Sequence, residues 1–290
     1  MRPLRDRLRD TARQSGTQQT VIEKDYALSY VLAGIAAQPE LAQSLVFKGG
    51  TALKKLFFGD YRFSEDLDFS TIDAPKRDDL EQAIHRAMDH AAQLLDVHGP
   101  FALRMERYVL RDPHPGGQEA FIVRVQFPWQ RDPHCRIKLE ITHEEPVMMA
   151  PDSRSLIHGY DEELAAQVCC YQLEEIAAEK LRSLLQTHQK LVARGWNRPR
   201  ARDYYDLWRI LGAYGDALKN AQLVELLHSK CDHRKVSFAS TDDFFTKELL
   251  SETHKHWDTS LRPFVADLPT SDAVLTELRP LIDALCSDLS

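Results

Sequence analysis

The sequence predicts an α/β fold in the first half of the chain and an α-helical bundle in the second half. Before about residue 150, stretches with a helical period occur among stretches whose polarity alternates every second residue. From Leu173 onward, almost every stretch has a helical period. We therefore predict two domains, residues 1–155 and 156–290.

The elements of the first domain follow from periodicity and from glycine and proline. A helix is predicted over about residues 19–37 and another that ends near Leu95, before Gly99 and Pro100. Between them, the segment LVFKGGTALKK contains a short apolar strand or turn, a Gly-Gly pair and the start of a helix. Strands are predicted for YRFSEDLDFS (61–70), FALRMERYVL (101–110), EAFIVRVQF (119–127) and CRIKLEIT (135–142), and a loop for DPHPGGQ (112–118).

The second domain contains four stretches in which apolar residues recur at helical spacing. These predicted helices cover residues 173–192, 202–213, 220–231 and 272–286.

Composition narrows the class of protein. The chain has 290 residues, of which 43% are hydrophobic and 28% are charged, values typical of globular domains and not of disordered or collagenous chains. Its 37 basic and 44 acidic residues give a net charge of −7, so contact with a nucleic acid would require a local basic patch. Five cysteines without metal-ligand spacing favour a reducing cytoplasm, and no secretory signal or membrane span is expected.

One predicted strand carries a polar face with two carboxylates. In YRFSEDLDFS, side chains two positions apart share a face, which places Arg62, Ser64, Asp66 and Asp68 together. Two carboxylates this close repel each other unless a cation lies between them, and hard oxygen ligands suit Mg²⁺. An exposed edge strand whose aspartates face water would show the same pattern.

Two further segments favour a site for a phosphorylated ligand. Lys48, Gly49, Gly50 and Thr51 precede a predicted helix, where glycine permits close approach of a phosphate to backbone amides. In CRIKLEIT, Glu140 lies on the polar face of a later strand and is a candidate third acid. Each segment also has a purely structural interpretation. The glycine pair would form an ordinary turn, and Glu140 would be a surface cross-strand partner for a lysine.

A glycine-rich turn, an Asp-x-Asp strand and a later acid together resemble the polymerase-β-like nucleotidyltransferases. In such enzymes, two metal ions roughly 3.5–4 Å apart stabilise the attacking and leaving oxygens of an in-line displacement. The resemblance implies a nucleotidyltransferase fold with a short mixed sheet, two Mg²⁺ ions and an NTP substrate.

The chain also resembles the AbiEii/AbiGii toxin family more closely, from about VIEKDYALSYVL to WDTSLRPFVADLP. The segments that carry this resemblance are KGGTALKKLF, YRFSEDLDFS, EEIAAEKLRSLLQ and RPRARDYYDLW. It implies a bacterial toxin of a toxin–antitoxin or phage-defence system, a cognate antitoxin and transfer of a nucleotide onto tRNA.

The resemblance also implies roles for particular residues. It implies that Asp66, Asp68 and Glu140 are catalytic and bind metal, that Lys180 and Asp203 are catalytic, and that a set of residues binds the nucleotide. Among the residues predicted to bind the nucleotide, the resemblance covers Gly49, Gly50, Thr51, Lys180 and Asp206. The turn and the polar strand face add Lys48, Arg62 and Ser64, and the helical half adds Arg202.

The helical half contains a lysine in an unusual position. Lys180 lies on the apolar stripe of its predicted helix, where an ammonium group is costly unless it is paired, faces a cleft or extends along the edge of the stripe. Asp203 and Asp206 lie three positions apart on the same side of a helix, so either could hold Lys180 or Arg202. Alternatively, they are acids that the helix dipole favours near the start of a helix. We expect Lys180, Asp203 and Arg202 to close over the phosphates of a nucleotide bound between the domains.

A basic segment, RGWNRPRAR, supplies candidates for RNA contact. Arg194, Arg198 and Arg200 lie here with Trp196, and arginines beside an aromatic ring suit phosphates and unstacked bases. A solvated basic loop would have the same composition.

The predicted function is Mg²⁺-dependent transfer of a nucleoside monophosphate to an acceptor hydroxyl, at the 3′ end of a tRNA, with release of pyrophosphate. Two other functions remain open: a nucleotide-binding module that has lost catalysis, and a metal-dependent phosphodiesterase or nuclease. Nucleotidylation of a protein hydroxyl remains open within the transferase class.

Overall fold

Within the described residues, seven strands form one mixed β-sheet. The protein is described by a computed structural model over residues 2–109, 117–218 and 221–286. The strands are β1 (Leu45–Lys48), β2 (Asp66–Thr71), β3 (Ala102–Arg107), β4 (Gln118–Gln126), β5 (Cys135–Thr142), β6 (Asp152–Ser155) and β7 (Gln167–Cys170). They lie in the order β3-β4-β5-β2-β1-β7-β6. β2 is parallel to β5 and β1 to β7, whereas the other neighbours are antiparallel. The predicted mixed sheet is confirmed.

The first half of the chain also forms helices. They are α1 (Leu4–Gln14), α2 (Gln19–Ala36), α3 (Pro39–Ala42), α4 (Gly49–Ala52) and α5 (Arg77–Leu95), and a π-helical turn, Leu53–Phe57, continues α4. α2 and α5 pack on each other, and they contact β5 and β3 respectively. The core between these helices and the sheet includes Ile84, Leu67 and Leu139, each 0% exposed.

The second half of the chain is helical, as predicted. Its helices are α6 (Leu173–Arg194), α7 (Ala201–Leu218), α8 (Ala221–Arg234), α9 (Lys247–Leu261) and α10 (Ser271–Leu285). α7 packs against α6, α9 and α10, and α6 also packs against α8. Their buried faces contain the apolar residues that gave the predicted helical period, for example Leu181, Leu207 and Leu278.

The chain divides into two compact units. The first ends at Tyr171, and the second begins at Gln172. Residues 156–171 belong to the first unit, where β7 pairs with both β1 and β6.

The strand predicted over residues 61–70 is shorter in the structure. β2 begins only at Asp66, so Arg62 and Ser64 do not lie on it, and their predicted place on its face was wrong. The reason is the length of β1. This strand ends at Lys48, the ladder partner of Asp68, because a helix begins at Gly49. Residues before Asp68 therefore have no partner on β1.

The predictions for residues 101–118 have a mixed outcome. Of the strand predicted over 101–110, residues Ala102–Arg107 form β3, and Leu110 lies outside the described residues. Gln118 begins β4. The rest of the predicted loop at 112–118, apart from Gly117, lies outside the described residues. Separately, no helix in the described part of the chain has the length and hydrophobicity needed to cross a lipid bilayer.

Candidate active site

The three acids predicted to bind metal lie on two adjacent parallel strands. Asp68 of β2 is the direct partner of Glu140 of β5, and Asp66 is the partner of Lys138. Residues opposite each other in a ladder project to the same face, and so do residues two apart on one strand. Asp66, Asp68 and Glu140 therefore share one face, whereas Leu67 between them points into the core.

Asp66 lies in an environment that disfavours its charge. Burial raises the pKa of Asp66, and the nearby carboxylates of Glu140 and Glu65 raise it further, while Lys24 and Lys138 act in the opposite direction. A raised pKa means that negative charge is insufficiently compensated at this position. A cation bound here would relieve that repulsion.

Glu140 already has two partners on the sheet. Lys138 Nζ lies 2.8 Å from Glu140 Oε1, and Gln118 Nε2 on β4 donates a hydrogen bond to the same oxygen at 2.6 Å. Glu140 thus pairs with a lysine of its own strand, and the side chain that bonds to it from the neighbouring strand is a glutamine, not the cross-strand lysine that the structural interpretation expected. Coordination of a metal would require Glu140 to use its other oxygen or to exchange these partners.

The Gly-Gly turn lies directly against the carboxylate strand. Gly49 follows β1 with φ +82°, in the left-handed region, and a Cβ at this position would lie 2.8 Å from Asp68 Oδ2. A Cβ at Gly50 would collide with the guanidinium of Arg62 and lie 3.4 Å from Ser64 Oγ. The absence of side chains at both glycines allows the turn and these polar groups to meet.

Thr51 and Lys48 connect the turn to its surroundings. The Thr51 hydroxyl is buried and donates a hydrogen bond to the Asp66 carbonyl at 2.5 Å, which fixes the start of α4 to β2. Lys48 is the ladder partner of Asp68, and its ammonium lies 5.3 Å from the centre of the Tyr171 ring. The residues predicted to bind nucleotide in the first unit thus surround one glycine turn.

The donor chemistry of this face suits a hard divalent cation, although the side chains are not gathered around one point. Among the described residues, no three histidine, cysteine, aspartate or glutamate side chains are placed to hold a metal ion together. Two aspartates and a glutamate nevertheless supply the oxygen ligands that Mg²⁺ prefers. The match between these three acids and a divalent cation therefore rests on their ligand chemistry and on the raised pKa of Asp66, which indicates uncompensated negative charge.

The second unit contains a buried cluster around Lys180. Lys180 Nζ donates hydrogen bonds to Asp203 Oδ1 at 3.0 Å and to Asp206 Oδ2 at 2.6 Å, joining α6 to α7. Burial opposes the charge of Asp203, but Lys180 and Arg200 outweigh it and hold the pKa of Asp203 below its usual range. Both acids predicted as possible partners therefore hold Lys180.

The arginines of the second unit differ in their surroundings. Arg200 bonds to Thr187 Oγ1 at 2.9 Å and to Asp203 at 3.2 Å, which fixes the segment before α7. Arg202 Nε donates to the Ser260 carbonyl at 3.0 Å. Arg194 and Arg198 are exposed.

Sequence reasoning missed the second partner of Glu140. Lys138 was recognisable from its i,i+2 spacing to Glu140, but Gln118 depends on the register between β4 and β5. No signal in the sequence specifies that register before the strands pair. Together with the pairing of β3 and β4, the same register aligns one arginine from each of three strands.

A glycine turn packed against paired carboxylates on a mixed sheet is typical of nucleotidyltransferases. The family model described as nucleotidyl transferase AbiEii toxin, type IV TA system, matches residues 30–279 of the chain. The chain therefore belongs to this family of toxins. No curated protein matches it.

Family membership establishes the general activity. The protein is a nucleotidyl transferase, and the family implies an NTP substrate and an antitoxin partner. The predicted family is thereby confirmed.

Proposed function

We propose that this toxin transfers a nucleoside monophosphate from an NTP to the 3′-hydroxyl of an RNA, that tRNA is the acceptor, and that pyrophosphate is released. The observation that carries the proposal is the shared face of Asp66, Asp68 and Glu140 beside the Gly49–Gly50 turn. Five free cysteines support a reducing cytoplasm as its location.

Asp66, Asp68 and Glu140 would hold Mg²⁺. Bound there, the metal would neutralise the charge of the triphosphate and activate the acceptor hydroxyl. The charge of Asp66 needs such compensation, because its pKa is raised by burial and by Glu140. Glu140 would contribute as the third acid, with Lys138 and Gln118 positioning its carboxylate.

The glycine turn would bind the phosphates. Because Gly49 and Gly50 have no side chains, the backbone of the turn lies close to Asp68 and Arg62, and its amides would face phosphates bound beside these groups. Arg62 and Ser64 border Gly50 and would supply a guanidinium and a hydroxyl to the phosphate oxygens. Thr51 would keep the turn in register with β2 through its bond to the Asp66 carbonyl.

For the second unit we propose that Lys180 binds the triphosphate as a point charge and that Asp203 and Asp206 position it. Support comes from the two short bonds that direct its ammonium group. Arg202 is proposed as a further phosphate ligand.

Arg194 and Arg198 are proposed contacts for the RNA backbone, because both are exposed on a segment that also exposes Trp196. Arg200, also predicted to contact RNA, would additionally keep that segment in place through its bonds to Thr187 and Asp203.

The decisive experiment follows transfer of label from each α-³²P-labelled NTP to total tRNA in the presence of Mg²⁺, resolved on a denaturing gel. The variants Asp66→Asn and Asp68→Asn keep the side-chain shape but remove the charge. Asp73→Asn, an exposed acid just beyond the end of β2, is the matched control.

We expect wild type and Asp73→Asn to lengthen the tRNA and both site variants to lose at least a hundredfold in rate. Equal transfer by the site variants would refute the metal assignment. Shortened RNA would identify a nuclease, and label on protein would identify a protein acceptor. Nucleotide binding without pyrophosphate release would identify a module without catalysis.

A further inference from the structure

Three arginines form a row across one edge of the sheet. Arg104 of β3 pairs in register with Arg124 of β4, which pairs with Arg136 of β5. Ladder partners share a face, so all three project to one side. Lys138 lies two residues after Arg136 on β5 and projects to the same side, and it is the ladder partner of Asp66. The arginine row therefore lies on the same face as the acids of the active site.

This row is electrostatically unfavourable by itself. Like charges directly opposite each other in a sheet destabilise it. Arg124 is compensated by Glu106, at 2.9 Å. Among the described residues, Arg104 and Arg136 form no ion pair with an acidic side chain, and both are exposed. The protein thus maintains a local basic patch although its net charge is −7.

An exposed aromatic ring lies within the same patch. Tyr108 follows β3, is 36% exposed, and donates its backbone N–H to the Ala120 carbonyl at 2.8 Å. Arg136 and Lys138 lie over its ring at 5.5 and 5.7 Å from the centroid. A ring held by two cations at a sheet surface offers a platform on which an unstacked base can stack.

The patch is close to the acids along the strands. Arg136 precedes Lys138 by two residues, which is roughly 6.6 Å along a strand, and Lys138 is directly opposite Asp66. A polyanion bound across the row would therefore end near the carboxylates.

We propose that Arg104, Arg124 and Arg136, with Tyr108, form a binding track for the phosphates and one base of a single-stranded RNA end. The role of that end as acceptor rests on the proposed function, whereas the binding itself does not. Two features favour RNA over an acidic peptide: a platform for base stacking, and three in-register guanidinium groups that suit a line of phosphates.

The test measures binding without catalysis. A fluorescein-labelled single-stranded RNA of twelve nucleotides with a free 3′-hydroxyl is titrated by anisotropy between 50 and 300 mM KCl, without NTP. The track variant is Arg104→Ala/Arg124→Ala/Arg136→Ala. The control is Arg5→Ala/Arg13→Ala/Arg86→Ala, which removes the same charge from exposed helical arginines of the same unit. Tyr108→Leu tests stacking separately, and thermal melts check folding.

We expect at least tenfold weaker binding by the track variant at 50 mM KCl. Its log–log salt slope should be shallower by about 2, since each phosphate contact on a single strand contributes roughly 0.7. Tyr108→Leu should bind at least fivefold more weakly with an unchanged slope, and the control should match wild type.

Equal binding by the track and control variants would overturn the inference, as would absence of RNA binding by wild type. Binding of polyglutamate instead, lost in the track variant, would assign the patch to a protein ligand. Track-dependent RNA binding without any nucleotide transfer would retain the track and refute the proposed function.

Discussion

At the scale of single residues, the two glycines of the turn tolerate a side chain differently. Gly49 has a positive φ, and its neighbour is the Asp68 carboxylate, which is part of the proposed metal site. The neighbour of Gly50 is the end of the buried Arg62 side chain, which is not among the proposed metal ligands. The first position therefore requires glycine for both conformation and space, and the second requires it for space alone.

We predict that Gly49→Ala lowers the rate of transfer at least tenfold, because it strains the backbone and displaces Asp68. Gly50→Ala should lower the rate of transfer less, because it would displace only Arg62 and so remove only the contribution of that guanidinium to the rate. Gly59→Ala is the control, since a Cβ there meets nothing within 4 Å. Initial rates at saturating NTP, with thermal melts of each variant, would show the difference; equal rates for Gly49→Ala and Gly59→Ala would contradict the proposal.

At the scale of elements, α6 and α7 are joined by a buried charge cluster. The Lys180 side chain is 9% exposed and that of Asp206 is 0% exposed. Removing one partner of a buried pair leaves an uncompensated charge, which costs about 3–5 kcal/mol. Such a cluster orients Lys180 while making it important for stability.

Lys180→Met should therefore lower the free energy of unfolding by about 3–5 kcal/mol, measured by urea denaturation. Lys255→Met removes a lysine that is 66% exposed and paired within one helix turn, and should cost less than about 1 kcal/mol. Equal losses in the two variants would show that the cluster around Lys180 contributes little to stability.

A second element-scale feature fixes the segment between β6 and β7. Glu162 in this segment accepts hydrogen bonds from Tyr26 of α2, at 2.5 Å, and from Arg7 of α1. Burial would raise the pKa of Glu162, but bonds from His158, Tyr26 and Arg7 outweigh it and hold the pKa well below its usual range. Tyr160 in the same segment bonds to Asp25 Oδ2 at 3.0 Å.

The sign of the pH dependence follows from that lowered pKa. The contribution of Glu162 to the free energy of unfolding is complete above the pKa of about 4.3 that its carboxyl has in the unfolded chain. It is lost as the pH falls towards the lower pKa of the folded protein. Glu162→Gln should lower the free energy of unfolding by about 1.5–3 kcal/mol at pH 7 and by progressively less below pH 4. Urea denaturation across pH 3–7 measures this, with exposed Glu163→Gln as control. A pH-independent difference would contradict it.

At the scale of the whole molecule, four of the five cysteines are protected by burial. All are free, and burial raises the pKa of Cys135 and Cys170 to about 12 and that of Cys231 and Cys286 to about 11. The thiolate is the reactive form, so these thiols should be inert near neutral pH. Cys169 is the half-buried exception, and burial also raises its pKa.

Titration with Ellman's reagent at pH 7.5 should detect at most one fast thiol in the native protein and five after unfolding in guanidinium. Cys169→Ser should remove the fast phase. Two or more fast thiols in the native protein would contradict the burial of the other four.

Much of this fold could be predicted from periodicity. The helices α2, α5 and α6 and the strand β5 were predicted to within a few residues, because their buried positions repeat regularly along the chain. The strands β6 and β7 could not be predicted. They have four residues each, too few for alternation to be recognised.

The candidate site was predictable in its residue types but not in its pairing. Asp66 and Asp68 stand two apart in the sequence, so their shared face was visible. That Glu140 is directly opposite Asp68, and that Arg104, Arg124 and Arg136 align, depends on strand register. Register is decided by contacts between distant segments, which a single sequence does not display.

The pairing of β5 with β2 sets a strict limit on changes in chain length. Insertion of one residue between Cys135 and Glu140 would turn the glutamate to the opposite face of the sheet and bring an aliphatic side chain to the face of the proposed active site. The turn at residues 128–134, which precedes β5, can absorb the same insertion without altering this alternation. We therefore expect a change in chain length to be tolerated in the turn and to disrupt the proposed active site when it falls within β5.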